Sequence, residues 1–129
     1  MKRRKPLKRR TGLTSRKQLN RKKAVKRKNA RRSAKEFRRA YGSKERVQAV
    51  HAMPCVVCGA LPSENAHLEN GGMGRKADKE LVVNLCSGCH TDDDLSLHRL
   101  GSVALFDRTH GTDLYAAAAR VASELEGIE

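Results

Sequence analysis

The sequence predicts a small α+β domain stapled by a metal ion and led by a basic arm. Three observations carry this. Two Cys-x-x-Cys knuckles, Cys55 to Cys58 and Cys86 to Cys89, are separated by 27 residues that contain two strand-like stretches. Helical apolar periodicity lies on either side of them. Charge is divided along the chain: residues 1 to 46 hold 22 of the 28 Lys and Arg against Glu36 and Glu45 alone, and residues 47 to 129 hold 6 basic and 12 acidic residues.

Composition explains why a staple is expected. With 129 residues, 3% aromatics and no tryptophan, a large self-sufficient core is not expected, and small domains of this kind usually need a disulfide or metal. Residues 1 to 30 contain no apolar run of signal-peptide length, and no stretch approaches the ~18 apolar residues of a membrane span. The expected compartment is therefore a reducing cytoplasm, with no membrane contact, where paired Cys-x-x-Cys reads as zinc rather than as two disulfides. An arm this basic on an acidic domain points to a polyanion, with nucleic acid favoured over a purely solubilising or localising tail.

Residues 1 to 30 read as a disordered, nucleic-acid-binding arm, broken early by Pro6 and Gly12. Leu7, Leu13, Leu19 and Val25 recur every six residues, and Arg10, Arg16, Lys22 and Lys28 each follow three positions later. On a helix this spacing winds around the axis; in an extended chain it keeps one side. The arm either tracks a nucleic-acid backbone in extended form, through Arg9, Arg10, Arg16, Arg21, Lys22, Arg27 and Lys28, or is a low-complexity basic tail with chance periodicity.

Residues 31 to 53 read as a helical lead-in. Ser33 and Glu36 form a capping-box pattern ahead of an apolar face of Ala34, Phe37, Ala40 and Tyr41. Gly42-Ser43 interrupts, Ser43 caps a second helix with Val47, Val50 and His51 or Met53 inward, and Pro54 ends it. Residues 54 to 129 form the core. Gly59 permits the reversed backbone of the first knuckle. Asn65 to Asn70 reads as a strand carrying His67, and Leu81 to Leu85 as a second, buried strand. Between them runs a glycine-rich loop in which Arg75 and Lys76 either contact phosphate or are solvated. The second knuckle opens a helix through roughly Leu97. Gly101 breaks it, Ser102 caps the next helix, Gly111 stops that one, and Thr112 or Asp113 caps the last, with Leu114, Ala117, Ala118, Val121 and Leu125 on one face.

Several motifs carry a resemblance. They are Tyr-Gly-Ser-Lys-Glu-Arg-Val (Tyr41 to Val47), Pro-Cys-Val-Val-Cys-Gly (Pro54 to Gly59), Ala66-His67, Leu-Cys-x-x-Cys-His (Leu85 to His90), His-Arg-Leu-Gly (His98 to Gly101), Phe106 and His-Gly-Thr-Asp-Leu (His110 to Leu114). Over about Tyr41 to Leu114 the chain resembles the HNH endonucleases, which have the ββα-metal fold, and within them the phage-type recombination nucleases. The resemblance implies a phage- or prophage-encoded enzyme of the bacterial host cytoplasm that hydrolyses DNA phosphodiester bonds, with RNA not excluded and a recombinase or other DNA-processing protein as a further partner. It implies a structural zinc on Cys55, Cys58, Cys86 and Cys89, closed by four thiolates. It implies that His67 is the general base, and that His90 is a ligand of a catalytic Mg2+ or Mn2+.

Three positions depart from the family pattern. Ala66 stands where many members carry a metal ligand. Leu81 stands at the eponymous asparagine, and Asn84 is the candidate to replace it, although alternation turns that side chain the other way. The second helix ligand is either Asp94, one turn after His90, or His98, which has the family's local context. Eight residues rise ~12 Å along a straight helix, so His98 can serve only if the helix bulges or restarts. A rival class is a non-catalytic zinc-ribbon protein that binds nucleic acid.

Overall fold

The computed structural model describes residues 30–73 and 75–128. Arg9, Arg10, Arg16, Arg21, Lys22, Arg27 and Lys28, with the six-residue repeat, lie outside the described residues. The fold is small and α+β, centred on one antiparallel hairpin. Strand β1, Glu64–His67, pairs with β2, Val82–Leu85, in the register Glu64 to Leu85, Asn65 to Asn84, Ala66 to Val83 and His67 to Val82. Both strands are shorter than the apolar pattern predicts: Leu68 is buried but past the ladder, and Leu81 closes a 3-10 turn, Lys79–Leu81. Ala66, Val83 and Leu85 are fully buried in one cluster with Leu97, Phe106, Leu114 and Ala117, so the sheet's apolar residues are held by the helices that follow it.

Two helices precede the hairpin. Helix α1, Ala30–Tyr41, starts three residues before the expected cap, which places Ser33 inside the helix. Glu36 accordingly serves no capping box; it faces Arg32 at 3.7 Å and Arg75 at 3.6 Å. Of the predicted apolar face only Ala40 is buried. Helix α2, Lys44–Ala52, is capped as expected, Ser43 Oγ accepting from the Arg46 amide at 3.1 Å. Gly42 turns the chain between them at φ +78°, and a Cβ there would sit 2.8 Å from Arg46 Cδ, so glycine is required twice over. Val50 is fully buried with Val121 and Leu125, Met53 packs on them, and His51 stays exposed with Nδ1 against the Ser63 carbonyl.

Arg46 is the surprise of α2. It is 4% exposed, and its guanidinium donates to the carbonyls of Leu125 (3.5 Å) and Lys79 (3.2 Å). One buried cation thereby joins α2, the hairpin turn and the end of the last helix.

After β2 the expected single helix is broken. A wide turn, Gly88–Asp92, is closed by the Asp93 amide donating to the Gly88 carbonyl at 3.0 Å, and Asp93 is extended (φ −74°, ψ 155°). Three successive aspartates at a helix C-terminus oppose its dipole and have poor helix propensity. The chain restarts at Ser96, which caps α3, Leu97–Leu100, and Gly101 ends it in the left-handed region. Helix α4, Val103–His110, runs from the Ser102 cap to Gly111, and α5, Leu114–Glu124, starts at Asp113, whose side chain accepts from the Ala116 amide at 3.0 Å. All five residues of its predicted inner face are buried, and α5 packs on β2. Among the described residues no helix is long and apolar enough to cross a membrane.

Candidate metal centre and the histidines beside it

The first knuckle is built by backbone bonds that fold Cys55 and Cys58 toward one point. The Gly59 amide donates to the Cys55 carbonyl (2.8 Å), the Cys55 amide to Ala60 (2.9 Å) and the Val56 amide to Asn84 (3.0 Å). The second knuckle leaves β2 directly through Leu85. The Sγ atoms of Cys55, Cys58, Cys86 and Cys89 all lie within 4.8 Å of one another, and none is in a disulfide.

A tetrahedral zinc with Zn–S of ~2.3 Å needs sulfurs ~3.8 Å apart. Cys58 to Cys86 is 3.5 Å and Cys58 to Cys89 is 3.9 Å. The four cysteines therefore fit a metal ion such as zinc, and four thiolates leave it no open position for chemistry. Burial pushes the Cys55 thiol up, but hydrogen bonds from the backbone of Cys58, Cys86 and Val57 outweigh it and lower that thiol to about 7. Burial pushes Cys86 and Cys89 up, and the Cys55 charge adds to the rise at Cys89. Without a cation Cys86 and Cys89 hold thiolate poorly; a bound dication reverses that balance.

Asn84 belongs to this frame. Its side chain donates to the Pro54 carbonyl at 2.6 Å while its own carbonyl receives the Val56 amide. Alternation in β2 aims it at the knuckle entrance, where it ties the strand to the first knuckle.

His67 closes β1 and is half-buried. Its Nε2 lies 2.7 Å from the Ala40 carbonyl. A carbonyl only accepts, so Nε2 carries the proton and Nδ1 the lone pair. Burial lowers the His67 pKa from 6.5 against the help of the Ala40 bond, and the charges of Lys76, Arg39 and His90 lower it further. The Tyr41 ring stands edge-on to the imidazole, centroids 5.0 Å apart. The result is a neutral imidazole of fixed tautomer.

His90 follows the last cysteine. Its Nδ1 is 2.6 Å from Glu64 Oε2. Its ring meets that of His98 edge to face, centroids 4.7 Å apart. The restart at Ser96 makes this possible: it returns the exposed His98 to His90, whereas Asp94 directly follows the extended Asp93. The one-turn relation of Asp94 to His90 does not exist, because the turn containing His90 ends at Asp92. Sequence reasoning missed Glu64. Strand alternation from Ala66 would have found it, since positions 64 and 66 share a face.

Glu64 and His67 sit at opposite ends of β1 and, three residues apart, on opposite faces. The structure brings together His90, His98 and Glu64 at one end of β1, and holds His67 beside Tyr41 at the other end of that four-residue strand, still within reach of the His90 charge. Arg75 and Lys76 stand beside α1 at the His67 end: Arg75 reaches Glu36, and Lys76 Nζ bonds the Tyr41 hydroxyl and lies 4.7 Å over its ring.

The chain matches no known protein-family description, no curated protein and no solved structure.

Proposed function

We propose that the chain is a metal-dependent endonuclease of HNH type, its hairpin, zinc-stapled second knuckle and His90 turn forming a ββα-metal core. The observation that carries the reading is the Ala40 carbonyl on His67 Nε2. A histidine held neutral, with the remote nitrogen bonded to main chain and Nδ1 left basic, is what water activation requires near neutral pH.

Nδ1–H of His90 donates to Glu64 Oε2, which leaves the lone pair on Nε2 of His90 free to ligate a metal beside His98. Two imidazoles with a carboxylate behind one of them suit a divalent ion, and His90 and His98 would hold it. Such an ion supplies charge stabilisation for the phosphoryl group and its leaving oxygen. In this scheme His67 takes the proton of the attacking water, and Arg75 and Lys76 hold phosphate. Residues 1 to 30 supply sequence-independent attraction to DNA; a partner protein such as a recombinase would present the substrate.

The test is cleavage of DNA by the purified protein with Mg2+ or Mn2+, beside the His67→Ala variant. Loss of activity by ~10²-fold or more with unchanged zinc content supports the assignment. Cleavage that survives the substitution refutes His67 as the base.

A second reading, a zinc-stapled nucleic-acid-binding protein without catalysis, is favoured by one observation. Ala66, fully buried, offers no donor beside His67, and the carboxylate at Glu64 lies on the opposite face of the strand. Tight binding with no cleavage under any divalent ion would decide for it.

A further inference from the structure

Helix α1 and the glycine-rich loop enclose a cleft of about 230 Å³, lined by Phe37, Arg39, Tyr41, Arg75 and Lys76 among others. Phe37 is 38% exposed, and α1 buries only Ala40, so this ring does not serve the core. It lies 5.3 Å from the Tyr41 ring, tilted by 39°. The two rings form a short aromatic platform, and the Tyr41 end of it touches His67. Cations surround it. Lys76 lies over Tyr41, Arg39 is anchored to Asp78 and the Lys76 carbonyl at 2.8 Å each, and Arg75 faces the half-buried Glu36 at 3.6 Å. A solvent-accessible pair of that length is weak and open to exchange for a phosphate.

We propose that this cleft receives one unpaired nucleotide of a nucleic-acid strand, its base stacked on Phe37 and Tyr41 and its phosphate held by Arg75 and Lys76. Aromatic faces beside guanidinium and ammonium groups are how proteins hold single strands, because an unpaired base offers a free π-face. In a duplex both faces are already stacked, so a paired base cannot use the platform. The polyanion is set by charge: α1 carries Arg31, Arg32, Lys35, Arg38 and Arg39 against Glu36 alone. The inference deepens the hydrolytic reading, on which it rests for the role of His67. A nucleotide seated on Tyr41 brings the adjoining phosphodiester to the imidazole, and the substrate class becomes single-stranded or branched rather than continuous duplex.

The experiment uses the full chain with its zinc and no added divalent ion, in salt high enough to weaken the arm. Fluorescence anisotropy compares a labelled oligothymidylate with a duplex of equal length, for the wild type, Phe37→Ala, Phe37→Trp and Arg75→Ala. The expected result is a single-strand preference that Phe37→Ala reduces by ~5-fold or more, with duplex affinity unchanged and Phe37→Trp retaining the preference. Arg75→Ala weakens single-strand binding as well. Equal wild-type affinity for the two forms, or a preference untouched by Phe37→Ala, overturns the proposal; circular dichroism and zinc content confirm that the variants fold. A chain that prefers single strands through Phe37 yet cleaves nothing supports the cleft and refutes only the hydrolytic reading.

Discussion

The rings of His90 and His98 meet edge to face, centroids 4.7 Å apart, because the chain leaves its helical turn at Asp93 and starts a new one at Ser96. Eight residues along an unbroken helix would hold them ~12 Å apart. Glu64, bonded to His90 Nδ1, is the third member of the group.

From this group follows a ranking of variants. His98→Ala should raise the Mg2+ or Mn2+ concentration needed for half-maximal cleavage. Glu64→Gln should raise it by ~10- to 100-fold, the usual effect of losing the partner that orients a ligating histidine. Asp94→Ala should leave it unchanged. A titration of cleavage against metal concentration reads all three, and an Asp94→Ala effect larger than that of His98→Ala would reverse the assignment.

The four-cysteine cluster predicts one tightly held zinc per chain. Elemental analysis of Cys58→Ser or Cys89→Ser should show it lost, with a large drop in melting temperature, since structural zinc supplies ~10–16 kcal/mol in small zinc domains. Acid should release the ion as protons compete with it for the four thiolates. Retained folding in both variants would show that the hairpin stands without its staple.

The pH profile of cleavage should report His67. Its pKa is lowered from 6.5, first by burial, so the neutral base persists below that value and the acid limb should fall at a pH under 6.5. The same shift affects stability. The unfolded chain binds a proton at this position as pH drops through 6.5 while the folded one resists, so the His67 contribution to stability is lost below 6.5. His67→Gln should flatten that part of the stability curve in urea titrations run from pH 7 to pH 5.

Arg46→Ala removes a buried guanidinium and strands the carbonyls of Lys79 and Leu125. The expected cost is about 2–4 kcal/mol, read as a lower denaturation midpoint. Gly42→Ala should cost about 1–2 kcal/mol through its left-handed backbone, plus the contact its Cβ makes with Arg46.

Much of this was legible in the sequence, for reasons that differ by residue. The knuckles, the hairpin and the caps at Ser43, Ser96, Ser102 and Asp113 rest on local rules, and Ser96 alone among them escaped notice because it lies inside what reads as one continuous helix. The inner face of α5 follows from its 3.6-residue period. Ser33 misled because its capping pattern competes with three further residues of good helix propensity upstream. Arg46 was illegible, because its partners come from distant segments and no local pattern marks a carbonyl 79 positions away, whereas Glu64 was marked only by the strand face it shares with Ala66. His98 was resolved only by the break, which the three aspartates encode but whose return direction tertiary packing sets.

The bond from His67 to Ala40 has a consequence for descent. What sets the tautomer is a main-chain carbonyl, and a buried alanine provides it through backbone position alone. Any small residue at position 40 would offer the same oxygen, so no side chain spells out the tautomer of His67. Homologues could preserve it while their sequences drift there, and lineages could lose it through a shift of α1 that leaves every residue of the motif in place.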